Sequence, residues 1–441
     1  MNEIAPVVEA TTIKNAKFLQ LVFVDINGVP KGMEIPASRY EEAVSDGIAF
    51  DGSSIAGFQG IEDSDLVFKA DPSTYAEVPW EGIARVYGYI YKGDKPYWAD
   101  PRGILKRVLD ELAKEGYSAY VGPEPEFYLF KKNGTWELDI PDHGGYFDLV
   151  TLDKARNLKR EIALYMPALG LVPELLHHEV GRAQHEIDFR FSEALKTADN
   201  IVSFKYLVKA IAELHGYHAT FMPKPVYGFP GNGMHLHINL STGGENVFMG
   251  EDGLSETALH FIAGILKHAK ALTAITNPTV NSYKRLVPGY EAPVYISWGY
   301  SNRSALIRVP AFWGKSARIE YRCPDPSANP YLALAAILKA GLDGIKKGLE
   351  PEAYVETNVY EMSEEERKSL SIETLPENLG EALDALKKDK AVQEALGSAY
   401  KNFITYKENE WESYLTYLEA KNLPVETKKV TEWELERYFY I

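Results

Sequence analysis

The chain has a single cysteine, Cys323, so no intramolecular disulfide framework is available and a reducing compartment is the natural setting. Positive charge is also short. A formal net charge of -16 argues against nucleic acid as the main partner. No run of eighteen apolar residues exists; the best candidate, 258–275, is interrupted by His260, Lys267, His268 and Lys270, so no membrane partner is expected. The first ten residues carry no basic stretch ahead of an apolar one, so no secretory leader is expected and a cytoplasmic location is. Glutamine is scarce, with four residues beside many Lys and Glu, a hint of a warm growth temperature. Nucleotide-binding glycine loops are missing. There is no G-x-G-x-x-G, and Gly314-Lys315-Ser316 has Val309 where a Walker A motif needs its first glycine. A zinc-protease signature is missing too, since neither His178-Glu179 nor His185-Glu186 is followed by a second His three residues beyond the Glu. No internal repeat or low-complexity linker interrupts the chain. Two tightly packed domains are expected, a β-rich one over 1–100 and one over 101–441 that mixes strands with long helices.

What is present begins with Val121–Phe130, V-G-P-E-P-E-F-Y-L-F, which reads as a strand. Glu124 and Glu126 share one of its faces about 6.5–7 Å apart, a spacing that suits one cation per carboxylate. A solvated edge strand with two exposed acids accounts for this stretch alone equally well. Three further strands repeat the pattern. His235 and His237 alternate with Met234, Leu236 and Ile238; Glu186, Asp188 and Arg190 alternate with Ile187 and Phe189; Arg318, Glu320 and Arg322 alternate with Ile319 and Tyr321. Four such strands predict a curved sheet lining a charged cavity. Glu124, Glu126, Glu179, Glu186, Glu320 and His235 form a donor set rich in hard oxygen, which suits Mg²⁺ or Mn²⁺ better than zinc. His177 and His178 read as structural or as supports for the ligands.

Arginine and lysine then concentrate in one region: Arg285, Arg303, Arg308, Lys315, Arg318 and Arg322 fall at strand and loop spacing, either as a solvated basic face or as a grip on carboxylate and phosphate oxygens. With no glycine-rich loop, any nucleotide must be held by metals and side chains. The Pro- and Gly-bounded loop from Asn281 to Pro293, carrying Arg285 and Glu291, reads as a lid or as an ordinary surface loop.

These residues resemble the glutamine synthetase family in its prokaryotic class I form. The match rests on F-D-G-S-S-I from Phe50, G-P-E-P-E-F from Gly122, H-H-E-V from His177, G-M-H-L-H from Gly233, N-S-Y-K-R-L-V-P-G-Y-E-A-P from Asn281 and R-I-E-Y-R-C-P-D-P-S-A-N-P-Y from Arg318. The resemblance implies an α+β chain: a small N-terminal β-grasp domain and a larger catalytic domain whose curved antiparallel sheet is flanked by helices. It implies ATP-dependent ligation of ammonia to the γ-carboxylate of L-glutamate through γ-glutamyl phosphate. It also implies two metal ions per site and a homododecamer of two hexameric rings, with active sites shared between neighbours. A P-II-type regulator is a partner by analogy.

Carried over by position, Glu126, Glu179 and Glu186 would hold one metal, and Glu124, His235 and Glu320 the other. Glutamate would meet Glu126, Gly231, Arg285, Glu291 and Arg322. ATP would meet His237, Asn239, Arg303, Arg308, Lys315 and Arg318. Ammonium would sit among Asp51, Ser54, Tyr146 and Glu179, with Asp51 taking its proton. Asp51, Glu291 and Arg303 would be the catalytic residues, Glu291 as the lid carboxylate. The resemblance leaves rivals: a γ-glutamyl-polyamine ligase or a catalytically silent regulatory relative, while a two-metal phosphohydrolase remains on the residues alone. Several positions depart from the family pattern. The link between the glutamate strand and Gly144 is short, unlike that of adenylylated class I enzymes. Tyr360 lies near their modified tyrosine in a different context and reads as structural. Gly60 stands where feedback-inhibited relatives have arginine. Phe229-Pro-Gly-Asn232 replaces a more usual Asn-Gly-Ser, and Ser301 a common Arg or Lys.

Overall fold

A computed structural model describes residues 16–131 and 140–441, apart from 59, 150, 252, 312–313 and 426–427. The segment on which the absence of a leader was read lies outside the described residues, as does most of the short link before Gly144.

In the N-terminal part, β1 (Phe18–Val24) and β2 (Pro30–Pro36) form a hairpin around Asn27-Gly28. Gly28 has φ +78°, and a Cβ there would lie 2.7 Å from Asn329 Cα, so the turn and its close approach to the catalytic body both require glycine. Then follow α1 (Tyr40–Ser45), β3 (Ile48–Asp51), β4 (Asp65–Ala70), β5 (Ala76–Val78), β6 (Ile83–Lys92) and β7 (Lys95–Pro96). The sheet runs β2-β1-β6-β4-β3, with β1 parallel to β6 and with β5 and β7 added on β6. Strand alternation divides β1 between two cores. Leu19, Leu21 and Phe23 join Phe68, Ile90 and Tyr40 in a small local core, while Val22 and Val24 face the large core of the rest of the chain.

Asp100 caps α2 (Pro101–Lys114), with Pro at the first helical position as the sequence predicts; its carboxylate accepts from Arg102 N at 3.1 Å and from Ile90 N at 3.1 Å. Next come β8 (Ser118–Lys131), α3 (Arg156–Tyr165), β9 (Pro173–His178), β10 (Gln184–Phe189), β11 (Ser192–Glu193), α4 (Ala194–Leu214), β12 (Tyr217–Thr220), β13 (Met234–Thr242), β14 (Glu245–Asn246), α5 (Glu256–Thr276), α6 (Ser282–Arg285), β15 (Trp298–Tyr300), β16 (Ile307–Val309), β17 (Ile319–Tyr321) and α7 (Pro330–Lys347). The sheet order is β15-β16-β17-β13-β8-β10-β9, antiparallel except for the edge pair β15/β16. Its apolar face, Val121, Leu236, Ile238 and Ile319 among others, packs into the large core with α4, α5 and α7. The last part is helical: α8 (Glu364–Ser369), α9 (Leu379–Lys388), α10 (Lys390–Leu396), α11 (Tyr400–Lys421) and α12 (Glu432–Tyr438).

Caps set some boundaries. α5 and α7 begin at Glu256 and Pro330, because the Ser255 side chain accepts from Ala258 N and that of Asn329 from Tyr331 N and Leu332 N. The loop expected from Asn281 is half helix: α6 and Asn281 are buried, and only 287–291 reach solvent. Among the described residues no helix is long and apolar enough to cross a membrane.

Candidate active site

Strand register assembles the charged face. Antiparallel pairing sets His235 opposite Glu124, Glu186 opposite Glu126, His177 opposite Glu186, and Glu320 opposite both His237 and Arg308. Cross-strand neighbours on one face lie about 4.5–5.5 Å apart at Cβ, so residues far apart in sequence become one contiguous row.

Two adjoining cavities open on this row. One, of about 530 Å³, is lined by Glu126, Glu179, Glu186, His235, Arg285 and Arg322, with Gly231, Tyr146, Glu291 and Arg303 around its mouth. The other, of about 490 Å³, is lined by His237, Asn239, Lys315 and Arg318. Glu124 and Asp188 line both. The residues expected to meet glutamate therefore gather in the first cavity, and four of those expected to meet ATP in the second. Arg303 falls with the first. Arg308 lies behind the row, paired with Glu320.

Among the described residues three groups could hold a cation, each with ligand atoms within 4.8 Å of one another. Two lie on the charged face, Glu124, His235 and Glu320 and then Glu179, Glu186 and His177; the third, Asp142, His178 and His185, is buried and lines neither cavity. The first is the predicted set. In the second, His177 stands where Glu126 was expected. His177 Nε2 is 3.4 Å from Glu179 Oε1, whereas Glu126 Oε2 is occupied by Gln184 Nε2 at 2.8 Å and Gly233 N at 2.9 Å. The charge balance of the two groups differs. Burial raises Glu179 to about 8, with Glu126, Glu291 and Asp188 adding to it; burial and the neighbouring Asp188, Glu126 and Glu124 push Glu186 well up; Asp188 reaches about 7 through burial and Glu124. Four crowded acids need positive charge to ionise together, and divalent cations with oxygen preference fit this donor set. In the other group burial opposes ionisation, but His237 and His235 hold Glu124 well below the carboxylate range, and Arg322 with the two imidazoles brings Glu320 to about 2.

A continuous polar chain links the cavities. Arg318 Nε donates to His237 Nδ1 at 3.1 Å, which leaves the ring proton on Nε2, 2.7 Å from Glu124 Oε1. Arg308 and Arg322 each donate to Glu320 at 2.5 Å. Arg285 is buried and fixed by the Cys323 carbonyl at 2.7 Å, with its stem against Gly231, where a Cβ would lie 2.8 Å from Arg285 Cγ and 2.5 Å from Pro223 O.

The mouth is more exposed. Tyr146 stacks on Phe147 at 4.1 Å between ring centroids. Asn302 fixes the loop presenting Arg303 by donating to Val355 O and Thr357 O. Glu291 takes φ +58°, and the Tyr360 hydroxyl donates to the next carbonyl, Ala292 O, at 2.7 Å. Tyr360 therefore anchors the end of this loop. Asp51 and Ser54 do not join the cavity of their own chain. Both are exposed at the end of β3, where Asp51 accepts from Ser53 N at 2.8 Å and is held low by that bond.

Sequence reasoning did not single out Gln184, whose amide grips Glu126, Gly231 O and the Gly181 N–H. It noted Asp188 on its strand without placing it in the site. The one available signal was the i+2 spacing of Glu186, Asp188 and Arg190, and Arg190 turns outward to pair with Glu174.

The glutamine synthetase β-grasp domain model matches residues 15–93 and the glutamine synthetase catalytic domain model residues 98–438. The chain is 80% identical over 425 residues to the glutamine synthetase of Pyrococcus woesei, covering 96% of this chain and 97% of that one. It is 76% identical over 443 residues to that of Thermococcus kodakarensis, covering 100% of each. With that of Thermotoga maritima it shares 50% over 440 residues, 97% of each. A solved structure described as a GmaS/ADP complex superposes with a TM-score of 0.86 at 35% identity, covering 96% of both chains.

Proposed function

The chain belongs to the glutamine synthetase family and joins ammonia to glutamate using ATP, and from that premise we infer how its residues share the reaction. The second cavity, with His237, Asn239, Lys315 and Arg318, receives ATP, supported by the ADP in the similar structure named above. The first receives glutamate, its α-groups against Arg285, Gly231 and Arg322 and its γ-carboxylate turned toward Glu124 and Asp188, where the cavities meet. Two Mg²⁺ or Mn²⁺ ions, one near Glu124, His235 and Glu320 and one near Glu126, Glu179 and Glu186 with His177, would neutralise phosphate and carboxylate charge. Arg303 and Arg308 add fixed positive charge for the transferring phosphoryl group. Ammonium is not a nucleophile; a carboxylate must attract it and remove a proton, the role assigned to Asp51 with Ser54, Tyr146 and Glu179. Glu291 closes the mouth and keeps water from γ-glutamyl phosphate.

The observation that carries this reading is the partition of one charged sheet face into two cavities meeting at Glu124. Because Asp51 and Ser54 lie outside the cavity of their own chain, a neighbouring subunit supplies them, as in a dodecamer with shared sites. The chain divides at 1–100 and 101–441, is cytoplasmic, and is of the class I-alpha type that escapes adenylylation, with a P-II-type protein as candidate regulator. The test uses two variants, Asp51→Ala and Glu126→Ala, each expected to be inactive alone. Reassembled together they should recover roughly a quarter of wild-type glutamine formation if sites are shared between subunits. Full turnover by Asp51→Ala alone, or no recovery on mixing, overturns the assignment.

A further inference from the structure

A separate cavity of about 290 Å³ lies between the β1–β2 turn, α4, α11, α12 and the last residue. It shares no lining residue with the two catalytic cavities. Lys205 and Lys209, one helical turn apart on α4, both line it. Lys205 Nζ donates to Pro326 O at 2.7 Å and Lys209 Nζ to Tyr440 O at 2.8 Å. An ammonium has three donors, so each lysine keeps two that these carbonyls do not use. Among the described residues neither lysine forms an ion pair. The acid in the lining, Glu410, is already taken by Lys407 Nζ at 3.0 Å and the Tyr438 hydroxyl at 2.6 Å. Ile441, the last residue, also lines the cavity, and an oxygen of its terminal carboxylate accepts from Phe221 N at 2.8 Å. A third cation, Arg437, stands at the edge over the Trp433 ring.

Two like charges at i and i+4 repel, and burying a cation without a counter-ion is costly. Both costs register on Lys205, and that of burial on Lys209. Burial lowers Lys205 to about 7, with Lys209 adding to the effect against a weaker pull from Asp325; burial alone lowers Lys209 to about 8. An anion between them removes both costs. The remaining walls combine polar Asn27, Thr279 and Ser327 with Val29, Pro30, Val202, Tyr406 and Pro330, whose apolar and aromatic surfaces suit a flat hydrophobic body.

We propose that this cavity binds a small organic anion, its carboxylate or phosphate held by Lys205 and Lys209 and its apolar body laid against Tyr406 and Pro330. Since Asn27–Pro30 belong to the N-terminal part and α4, α11 and α12 to the catalytic body, the occupant would clamp the two together.

The test is calorimetric titration of the full-length protein with benzoate and with phenyl phosphate, in the presence of saturating ATP and glutamate. At least one probe is expected to bind, and the pair of arms distinguishes a carboxylate from a phosphate site. The double variant Lys205→Gln/Lys209→Gln should bind at least tenfold more weakly while keeping ammonia-dependent glutamine formation within twofold of wild type. Lys205→Arg/Lys209→Arg, which retains the charge, should restore binding. Silence of the wild type toward both probes at millimolar concentration overturns the proposal, as does equal binding by the glutamine double variant.

Discussion

Glu126 has one carboxylate oxygen fully engaged by neutral donors, the Gln184 amide and the Gly233 N–H, leaving the other to face the cavity. If Glu126 holds a metal as proposed, Gln184 is its support, and such supports typically affect metal affinity about 10–100-fold. Gln184→Ala is expected to lower turnover by that order at limiting Mn²⁺ and to recover much of it at high Mn²⁺. A deficit independent of metal concentration would separate Gln184 from the metal site. The acids around it make a second prediction, for the metal-free protein. In the folded chain Glu179 and Asp188 keep protons up to about 8 and about 7. In the unfolded chain such groups titrate near about 4. Between these limits the native state binds more protons, so stability falls as pH rises through that window. The melting midpoint of metal-free protein should drop from about pH 5 to about pH 8, and saturating Mg²⁺ or Mn²⁺ should shrink the drop. An equal drop with and without metal would mean that the cations do not bind these acids. The charged row was legible in the sequence because acids and imidazoles at i and i+2 on an otherwise apolar strand are conspicuous. Gln184 was not. A lone amide carries no charge pattern, and its meaning appears only when β10 pairs with β8 beside Glu126.

The β9–β10 hairpin shows how an element sets a ligand. Asp142, far away in sequence, accepts from Ala183 N at 2.8 Å and lies 3.3 Å from His178 Nε2, while His178 Nδ1 donates to Glu179 O at 2.7 Å. One buried carboxylate thus fixes both ends of the turn that carries Glu179, including Ala183 at φ +60°. Asp142→Ala would strand the Ala183 N–H, at about 1–3 kcal/mol. It should also weaken Mn²⁺ binding about tenfold. Asp142→Asn, which retains an acceptor for Ala183 N, should recover part of the affinity; identical affinities for all three proteins would confine Asp142 to packing. Element types were largely readable from period and caps, as Asp100-Pro101 shows. Starting residues were fixed by capping side chains, as at Ser255 and Asn329. The short α6 escaped because its Ser-Tyr-Lys-Arg carries no helical apolar stripe and is buried by its neighbours.

Across the whole molecule, Asn329 joins the two parts. Its Oδ1 caps α7, and its Nδ2 donates to Asp25 O at 3.0 Å and Ile26 O at 3.3 Å, at the base of the β1–β2 turn. Val22 and Val24 extend the large core across the same seam. The N-terminal and catalytic parts are expected to unfold in one calorimetric transition. Asn329→Ala, losing a cap and the seam bonds together, should cost about 2–3 kcal/mol. Two separated transitions in the wild type would show that the seam couples nothing. The order of the central strands also bears on synthesis. Glu124 and Glu126 leave the ribosome long before Glu320 and Arg322, and β17 reaches the site by pairing with β13, already seated on β8, and with β16. A nascent chain halted ahead of β17 therefore displays Glu124 and His235 without Glu320, and lacks Arg322 beside them. Translation must pass Arg322 before the reaction centre exists at all.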